Sequence, residues 1–245
     1  MTTLKFCELF LGCQGEGIHS GEQNIFIRLS GCNKKCVWKN GSCDTKFASF
    51  QAFDFEEKKV SEIYEEIKKL KCKSVIATGG EPIMQVEGLT ELFTLLKKDK
   101  YKLNIETNGS IFSIDLVNLI DFWSISPKLP SSGNKTFEED KKVVKYLISN
   151  LMTQKYQIKF VIDTTNIEKD LEDIKQTLSD INSPLNMNLI FQPEGLTEDL
   201  NEYANRYAKL AEYVCYNNHF DWLNKYEWKV LMQNHRVAWN NRRRM

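Results

Sequence analysis

Cys32, Cys36 and Cys43 stand within twelve residues of the stretch SGCNKKCVWKNGSCDTKF (30–47), with three and then six residues between them. Clustered thiols are a metal-binding signal, and their number restricts the metal. A structural zinc site closes with four ligands, and a fully ligated four-iron cluster takes four thiolates. His19, His219 and His235 are the only histidines, and none lies near enough in sequence to complete a local zinc knuckle. Bare thiols beside Lys34, Lys35 and Lys39 would be activated toward oxidation. The reading left is a four-iron four-sulfur cluster on three thiolates, with one iron open to a chelating molecule. A non-enzymatic module with a three-Cys zinc site is the competing reading; iron–sulfur protein is brown and zinc protein colourless. Cys7, Cys72 and Cys215 are scattered in apolar or mixed surroundings and read as packed small hydrophobes.

Further polar groups recur where short β-branched runs stop. TGGEP (78–82) offers two glycines that let the backbone approach a ligand and Glu81 to accept from an ammonium. Its bland alternative is a strand-to-helix turn capped by Thr78. ETNG (106–109) offers Glu106 and Asn108 to ribose or amine groups, against the alternative of a plain Asn-Gly turn. SPK (126–128) and QPEG (192–195) are unremarkable turns on their own. Arg28 lies in the otherwise apolar NIFIRLS (24–30), where it either faces solvent or turns inward to grip a carboxylate bidentately.

The elements that must position these groups follow from periodicity. Strands are expected at 24–30, 74–80, 102–109, 121–128, 156–163, 186–193 and 227–233, and helices at 58–70, 89–98, 137–151, 167–181 and 197–214. Alternating strands and helices predict an α/β fold with a parallel sheet. About six β-α units are fewer than the eight of a closed barrel, so a partial, open β/α barrel is expected. No long linker or fixed-period repeat divides the chain, so 1–245 reads as one domain with the cysteine loop near 31–46. Ligand sites in such folds gather at the carboxyl ends of strands, so the four polar turns and the cysteine loop should share one face. Lys plus Arg and Asp plus Glu are both 33, so no net charge draws the chain to nucleic acid or an anionic membrane. No apolar run of transmembrane length and no signal-peptide pattern is present, and a cytoplasmic location is expected. The basic end NNRRRM reads as a solvated tail.

The loop resembles that of the radical S-adenosylmethionine superfamily, Cys-x3-Cys-x2-Cys with an aromatic before the last Cys. Trp38 supplies that aromatic, and KNGS (39–42) is inserted before Cys43. Within the superfamily the chain resembles 7-carboxy-7-deazaguanine synthases through QGEG (14–17), FIRLSGCN (26–33), Cys43-Asp44-Thr45, TGGEP, ETNG, SPK, QP (192–193) and Q-x-H (233–235). Part of that family also has expanded spacing before the last Cys. The resemblance implies that the open iron binds S-adenosylmethionine, whose reductive cleavage yields a 5′-deoxyadenosyl radical. It implies conversion of 6-carboxy-5,6,7,8-tetrahydropterin to 7-carboxy-7-deazaguanine with loss of ammonia, on the route to queuosine and other deazapurines. Cys32, Cys36 and Cys43 would hold the cluster. Trp38, Gly79, Gly80, Glu81, Glu106, Asn108, Ser126, Pro127, Lys128 and Gln192 would line the S-adenosylmethionine pocket. Gln14, Gly15, Glu16, Arg28, Thr78 and His235 would contact the pterin, with Glu16 on its amino-pyrimidine edge and Arg28 on its carboxylate. Thr45 would bind magnesium, a hard cation suited to oxygen donors. A homodimer and an electron donor such as flavodoxin or ferredoxin are implied as partners. Another radical enzyme, such as a glycyl-radical activase, is the alternative; it would need neither QGEG nor Arg28.

Overall fold

The computed structural model describes residues 2–50, 55–135, 137–216 and 218–240. The basic end at 241–245 and the side chain of His219 lie outside the described residues. The chain opens with β1 (Thr3–Cys13) and β2 (Gln23–Leu29), an antiparallel pair. The cysteine loop follows and contains a small hairpin, β3 (Val37–Trp38) and β4 (Gly41–Ser42). β5 (Glu56–Lys59) then runs into α1 (Val60–Lys68). Strands and helices alternate from there: β6 (Ser74–Gly79), α2 (Val86–Lys98), β7 (Lys102–Thr107), α3 (Ile114–Leu119), β8 (Phe122–Ile125) and α4 (Phe137–Ser149). The chain continues through β9 (Tyr156–Ile162), α5 (Ile167–Asp180), β10 (Asn188–Pro193), α6 (Leu200–Tyr216), β11 (Glu227–Val230) and α7 (Asn234–Trp239).

Nine strands form one sheet in the order β11-β10-β9-β8-β7-β6-β2-β1-β5. Every pairing from β2 across to β11 is parallel, while β1 is antiparallel to both its neighbours. Six β-α units run from β2–α1 to β10–α6, and the sheet stays open between its outer strands. This is the partial β/α barrel expected from the alternation. Because β2 and β6 through β11 all run the same way, their following loops emerge at one edge.

The strand period of two then decides what each side carries. Ile25, Ile27, Val75, Ala77, Leu103, Ile105, Trp123, Ile125, Ile158, Phe160, Leu189 and Phe191 face the helices in one continuous apolar core. Burying a side chain of this size contributes about 1.5–3 kcal/mol against the unfolded chain. The alternate residues of the same strands, among them Arg28, Thr78, Glu106, Ser124, Lys159 and Gln192, face the other way and line a cavity.

The β3–β4 hairpin, β5, α3 and α7 lie outside the expected elements, and two further departures have a readable cause. No strand is expected at 3–13, yet β1 is eleven residues long. Leu4 and Phe6 are buried while Thr3 and Lys5 are exposed, a half-buried alternation that Glu8, a buried carboxylate in the same phase, disguises. The helix expected from residue 58 starts at Val60, because Lys58 and Lys59 are taken up in β5, where they pair with Leu4 and Thr3. Cys215 is exposed and is no packed hydrophobe, whereas Cys7 and Cys72 are partly buried.

Candidate active site

A cavity of about 310 Å³ lies at the carboxyl edge of the sheet. All the expected site residues line it except Glu81 and Pro127. The cysteine loop enters from β2, and Cys32, Cys36 and Cys43 each reach the cavity wall. Donors are directed at their sulfurs: the Lys34 amide donates to Cys32 Sγ at 3.4 Å and Asn134 Nδ2 to Cys36 Sγ at 3.3 Å. Thr45 Oγ1 stands 3.4 Å from Cys43 Sγ. Lys34 is no free activator of the thiols; its ammonium donates to Asp140 Oδ2 of α4 at 2.5 Å and fastens the loop there. Burial pushes the Cys32 thiol up to about 11 and also raises Cys43. A coordinated metal reverses that preference, since a ligating thiol is deprotonated outright.

The TGGEP glycines line the cavity and also serve a second close approach. Gly79 has φ +131, and a Cβ there would lie 2.1 Å from the carbonyl oxygen of Leu29. A Cβ on Gly80 would lie 2.1 Å from that of Gly31. The glycines therefore let the end of β6 close on the backbone that leads into the cysteine loop, and Gly80 N and Glu81 N bond to Leu29 O and Gly31 O. Glu81 corrects the expectation of an ammonium acceptor. It is fully buried, and its carboxylate accepts from Thr107 Oγ1 at 2.8 Å and from the amides of Asn108 and Ile83 at 2.7 and 3.1 Å. Burial holds its carboxyl above the usual carboxylate value. It ties the β6 and β7 turns together and does not reach the cavity. Pro127 is buried behind the wall, between Ser126 and Lys128, whose ammonium donates to Ser126 Oγ at 3.0 Å.

Polar groups assigned to different ligands from the sequence prove to be one network. Glu106 accepts from Gln14 Nε2 at 2.9 Å and from Thr78 Oγ1 at 2.6 Å. Asn108 Nδ2 donates to Asn33 Oδ1 at 2.9 Å, beside Cys32. Gly15 packs on His235, where a Cβ would meet Nδ1 at 2.2 Å, so only glycine admits the imidazole.

Arg28 turns inward. It stands opposite Glu8 across β1 and β2, donating from Nε to Glu8 Oε2 at 3.2 Å, with Glu8 only 2% exposed. The guanidinium lies over the Phe47 ring, 5.8 Å from its centroid. Among the described residues no hydrogen bond occupies Nη1 or Nη2, the two donors of its bidentate edge. Glu16 is not a bare acceptor. It is ion-paired to Lys159 through Oε2 and accepts from Gln233 Nε2 at 2.6 Å through Oε1. Against the cost of burial, Lys159 and His235 draw its carboxyl down to about 2. Burial lowers the Lys159 ammonium, and the carboxylates of Glu16 and Glu106 more than offset it, so that it is held above its usual value.

Glu8, Cys13, Lys159, Glu194 and Gln233 line the cavity without having been expected. The signal for Lys159 is in YQIKFVID: Gln157, Lys159 and Val161 share one phase of a strand whose other phase is Ile158, Phe160 and Ile162. Glu8 carries no such signal: it shares the phase of Leu4 and Phe6, and a bulge between Phe6 and Glu8 brings it opposite Arg28 on the cavity side.

The lining fits a cluster with S-adenosylmethionine. Three thiols converge with donors on their sulfurs, and the buried polar atoms of the lining residues that have no hydrogen-bond partner among the described residues include Trp38 Nε1 and Gln192 Oε1. Such orphans call for a polar ligand.

Comparison with known proteins agrees with this chemistry. Residues 26–122 match the radical SAM superfamily model. The chain is 32% identical over 195 residues to the 7-carboxy-7-deazaguanine synthase of Clostridium acetobutylicum, covering 77% of this chain and 80% of that one. It is 31% identical to that of Methanospirillum hungatei, over 88% of this chain and 80% of the relative. The crystal structure of QueE from Escherichia coli superposes with a TM-score of 0.63 over 95% of each chain at 22% identity, a likeness of fold. A cavity built on three cysteines at the carboxyl edge of a partial barrel, and relatives that share four fifths of their length with it, make this chain an enzyme of the 7-carboxy-7-deazaguanine synthase family in the radical S-adenosylmethionine superfamily.

Proposed function

We propose that the chain converts 6-carboxy-5,6,7,8-tetrahydropterin to 7-carboxy-7-deazaguanine, with the whole of 1–245 acting as one catalytic domain. The observation that carries the substrate assignment is Arg28, half-buried in the cavity wall, where Glu8 holds its Nε and no hydrogen bond among the described residues occupies Nη1 or Nη2. Cys32, Cys36 and Cys43 hold the four-iron cluster, and Trp38, Gln192, Ser126 and Lys128 present polar atoms to S-adenosylmethionine. Bound there, the two together supply the 5′-deoxyadenosyl radical that starts the reaction.

The protein's own part is to bind and orient. Arg28 takes the pterin carboxylate in a planar fork, and Glu8 keeps the guanidinium from swinging out of the wall. Glu16, fixed by Lys159 and Gln233, retains lone pairs for the amino-pyrimidine edge. His235, wedged on Gly15, and Thr78, hydrogen-bonded to Glu106, fill the remaining sides. Thr45 supplies a hydroxyl oxygen to magnesium beside the carboxylate. An external one-electron donor such as flavodoxin or ferredoxin and a homodimeric assembly belong to the same proposal. Equilibrium binding to the anaerobically reconstituted protein tests the substrate assignment. The carboxylated tetrahydropterin should bind at least tenfold tighter than the same pterin without its 6-carboxylate. Equal affinity would remove Arg28 from the site and the carboxypterin with it.

A further inference from the structure

The insertion KNGS (39–42) supplies none of the residues assigned to the cluster, S-adenosylmethionine or the pterin. It forms the turn of the β3–β4 hairpin: Trp38 pairs with Gly41 and Val37 with Ser42, leaving Lys39 and Asn40 at the tip. Two paired positions do not hold a hairpin in water, so its placement depends on what it touches. One flank lies beside Gly133, where a Cβ would come within 3.2 Å of Val37 O. Gly41 packs on Leu196, with 3.7 Å between its Cβ position and the Leu196 Cβ. From the tip, Asn40 Nδ2 donates to Glu194 Oε1 at 2.8 Å, joining positions 154 residues apart.

Glu194 is a fixed anchor. It is 1% exposed, is ion-paired to Arg206 of α6, and accepts the Leu196 amide at 2.8 Å. It lies two residues beyond Gln192, at the end of β10, while the hairpin hangs from the loop after β2. The tie therefore runs across the edge of the cavity between distant strands of the sheet. Trp38, on the hairpin, is buried beneath it.

We propose that the inserted turn is a latch: Asn40 fastens the hairpin to Glu194 and closes the cavity over bound S-adenosylmethionine, keeping its cleavage coupled to the pterin. Asn40 and Glu194 are positioning residues in this scheme, and the scheme rests on the functional reading above. Opening of the hairpin is resisted by one hydrogen bond to a charged acceptor from an exposed turn, which sets the effect at about tenfold.

The test is amide hydrogen exchange on the reconstituted protein, with iron content and product stoichiometry measured alongside. In Asn40→Ala the amides of 37–43, among them Cys43 N, should exchange about tenfold faster than in the wild type, with iron content unchanged. 5′-Deoxyadenosine formed per pterin converted should rise, and KM for S-adenosylmethionine should increase more than kcat falls. Asn40→Asp, which sets a carboxylate against Glu194, should do the same or more. Wild-type exchange and wild-type coupling in both variants would overturn the latch. Loss of iron in Asn40→Ala would overturn it equally, since the turn would then build the cluster site and not close it. A wild-type chain that takes up no iron, or cleaves no S-adenosylmethionine, would refute the functional reading instead.

Discussion

Arg28→Ala should do two separable kinds of damage. Arg28 Nε faces the Glu8 carboxylate at 3.2 Å, and Glu8 is 2% exposed, so truncation leaves a buried negative charge without the guanidinium opposite it. Removing one partner of a buried pair costs about 3–5 kcal/mol. Arg28 retains some exposure, 16% of its side chain, so the lower end applies. For a chain of this size about 3 kcal/mol lowers Tm by roughly 6–12 °C. The second loss is the fork offered to the substrate carboxylate, a charged hydrogen-bond pair of about 1.5–3 kcal/mol, or ten- to a hundredfold in affinity. Arg28→Lys should restore part of the stability and little of the affinity, because an ammonium lacks the planar fork. Glu8→Gln combined with Arg28→Ala should recover much of the lost Tm and none of the lost affinity. Thermal unfolding and pterin binding, measured with iron content for each variant, read the two effects apart. If the double variant regains affinity, or if Arg28→Ala binds like the wild type, Arg28 only balances Glu8 and the substrate pose fails.

Cys32→Ala, Cys36→Ala and Cys43→Ala should each abolish cluster assembly, whereas Cys7→Ala, Cys13→Ala, Cys72→Ala and Cys215→Ala should keep it; iron analysis and electron paramagnetic resonance after anaerobic reconstitution decide. Cys13 is the instructive control, because it is exposed and lines the same cavity. Thr45→Ala should weaken magnesium stimulation of turnover while S-adenosylmethionine cleavage continues, and an unchanged magnesium dependence would count against Thr45. Asp170, fully buried, has its carboxyl pushed up to about 6 by burial and by Asp163 nearby, against 3.8 unperturbed. Its folded value is the higher one, so the neutral form is favoured by folding, and its contribution falls as pH rises through about 4 to 6. Over that window the wild type should lose roughly 3 kcal/mol relative to Asp170→Asn; a pH-independent difference in unfolding free energy would refute the shift.

The architecture was legible because its parallel strands are short, β-branched and mostly separated by amphipathic helices, so periodicity places all seven parallel strands and five of the six helices that follow them; α3 is six residues long, too short to show a period. β1 escaped because Glu8 breaks its apolar phase, and the carboxylate at that break pairs with Arg28. Lys159 escaped for a related reason, since a single cation in YQIKFVID reads as an outward-facing residue until the sheet has two buried sides. The cysteines and the four turns could be found because each falls at a strand end. The partners of those groups could not. Glu16 with Lys159, Glu106 with Gln14 and Thr78, and Glu194 with Asn40 are joined across 143, 92, 28 and 154 positions, distances over which one sequence carries no pairing signal. Glu81 shows the reverse error: a carboxylate beside two glycines suggests a ligand contact, and its three internal donors give it a structural one.

Anaerobic turnover tests the central claim most directly. The reconstituted chain is incubated with 6-carboxy-5,6,7,8-tetrahydropterin, S-adenosylmethionine, magnesium and a low-potential reductant, and the products are identified by mass. The account predicts 7-carboxy-7-deazaguanine and ammonia in equal amounts, with formation dependent on Arg28 and on all three loop cysteines. Cleavage of S-adenosylmethionine to 5′-deoxyadenosine with the carboxypterin recovered unchanged would contradict it.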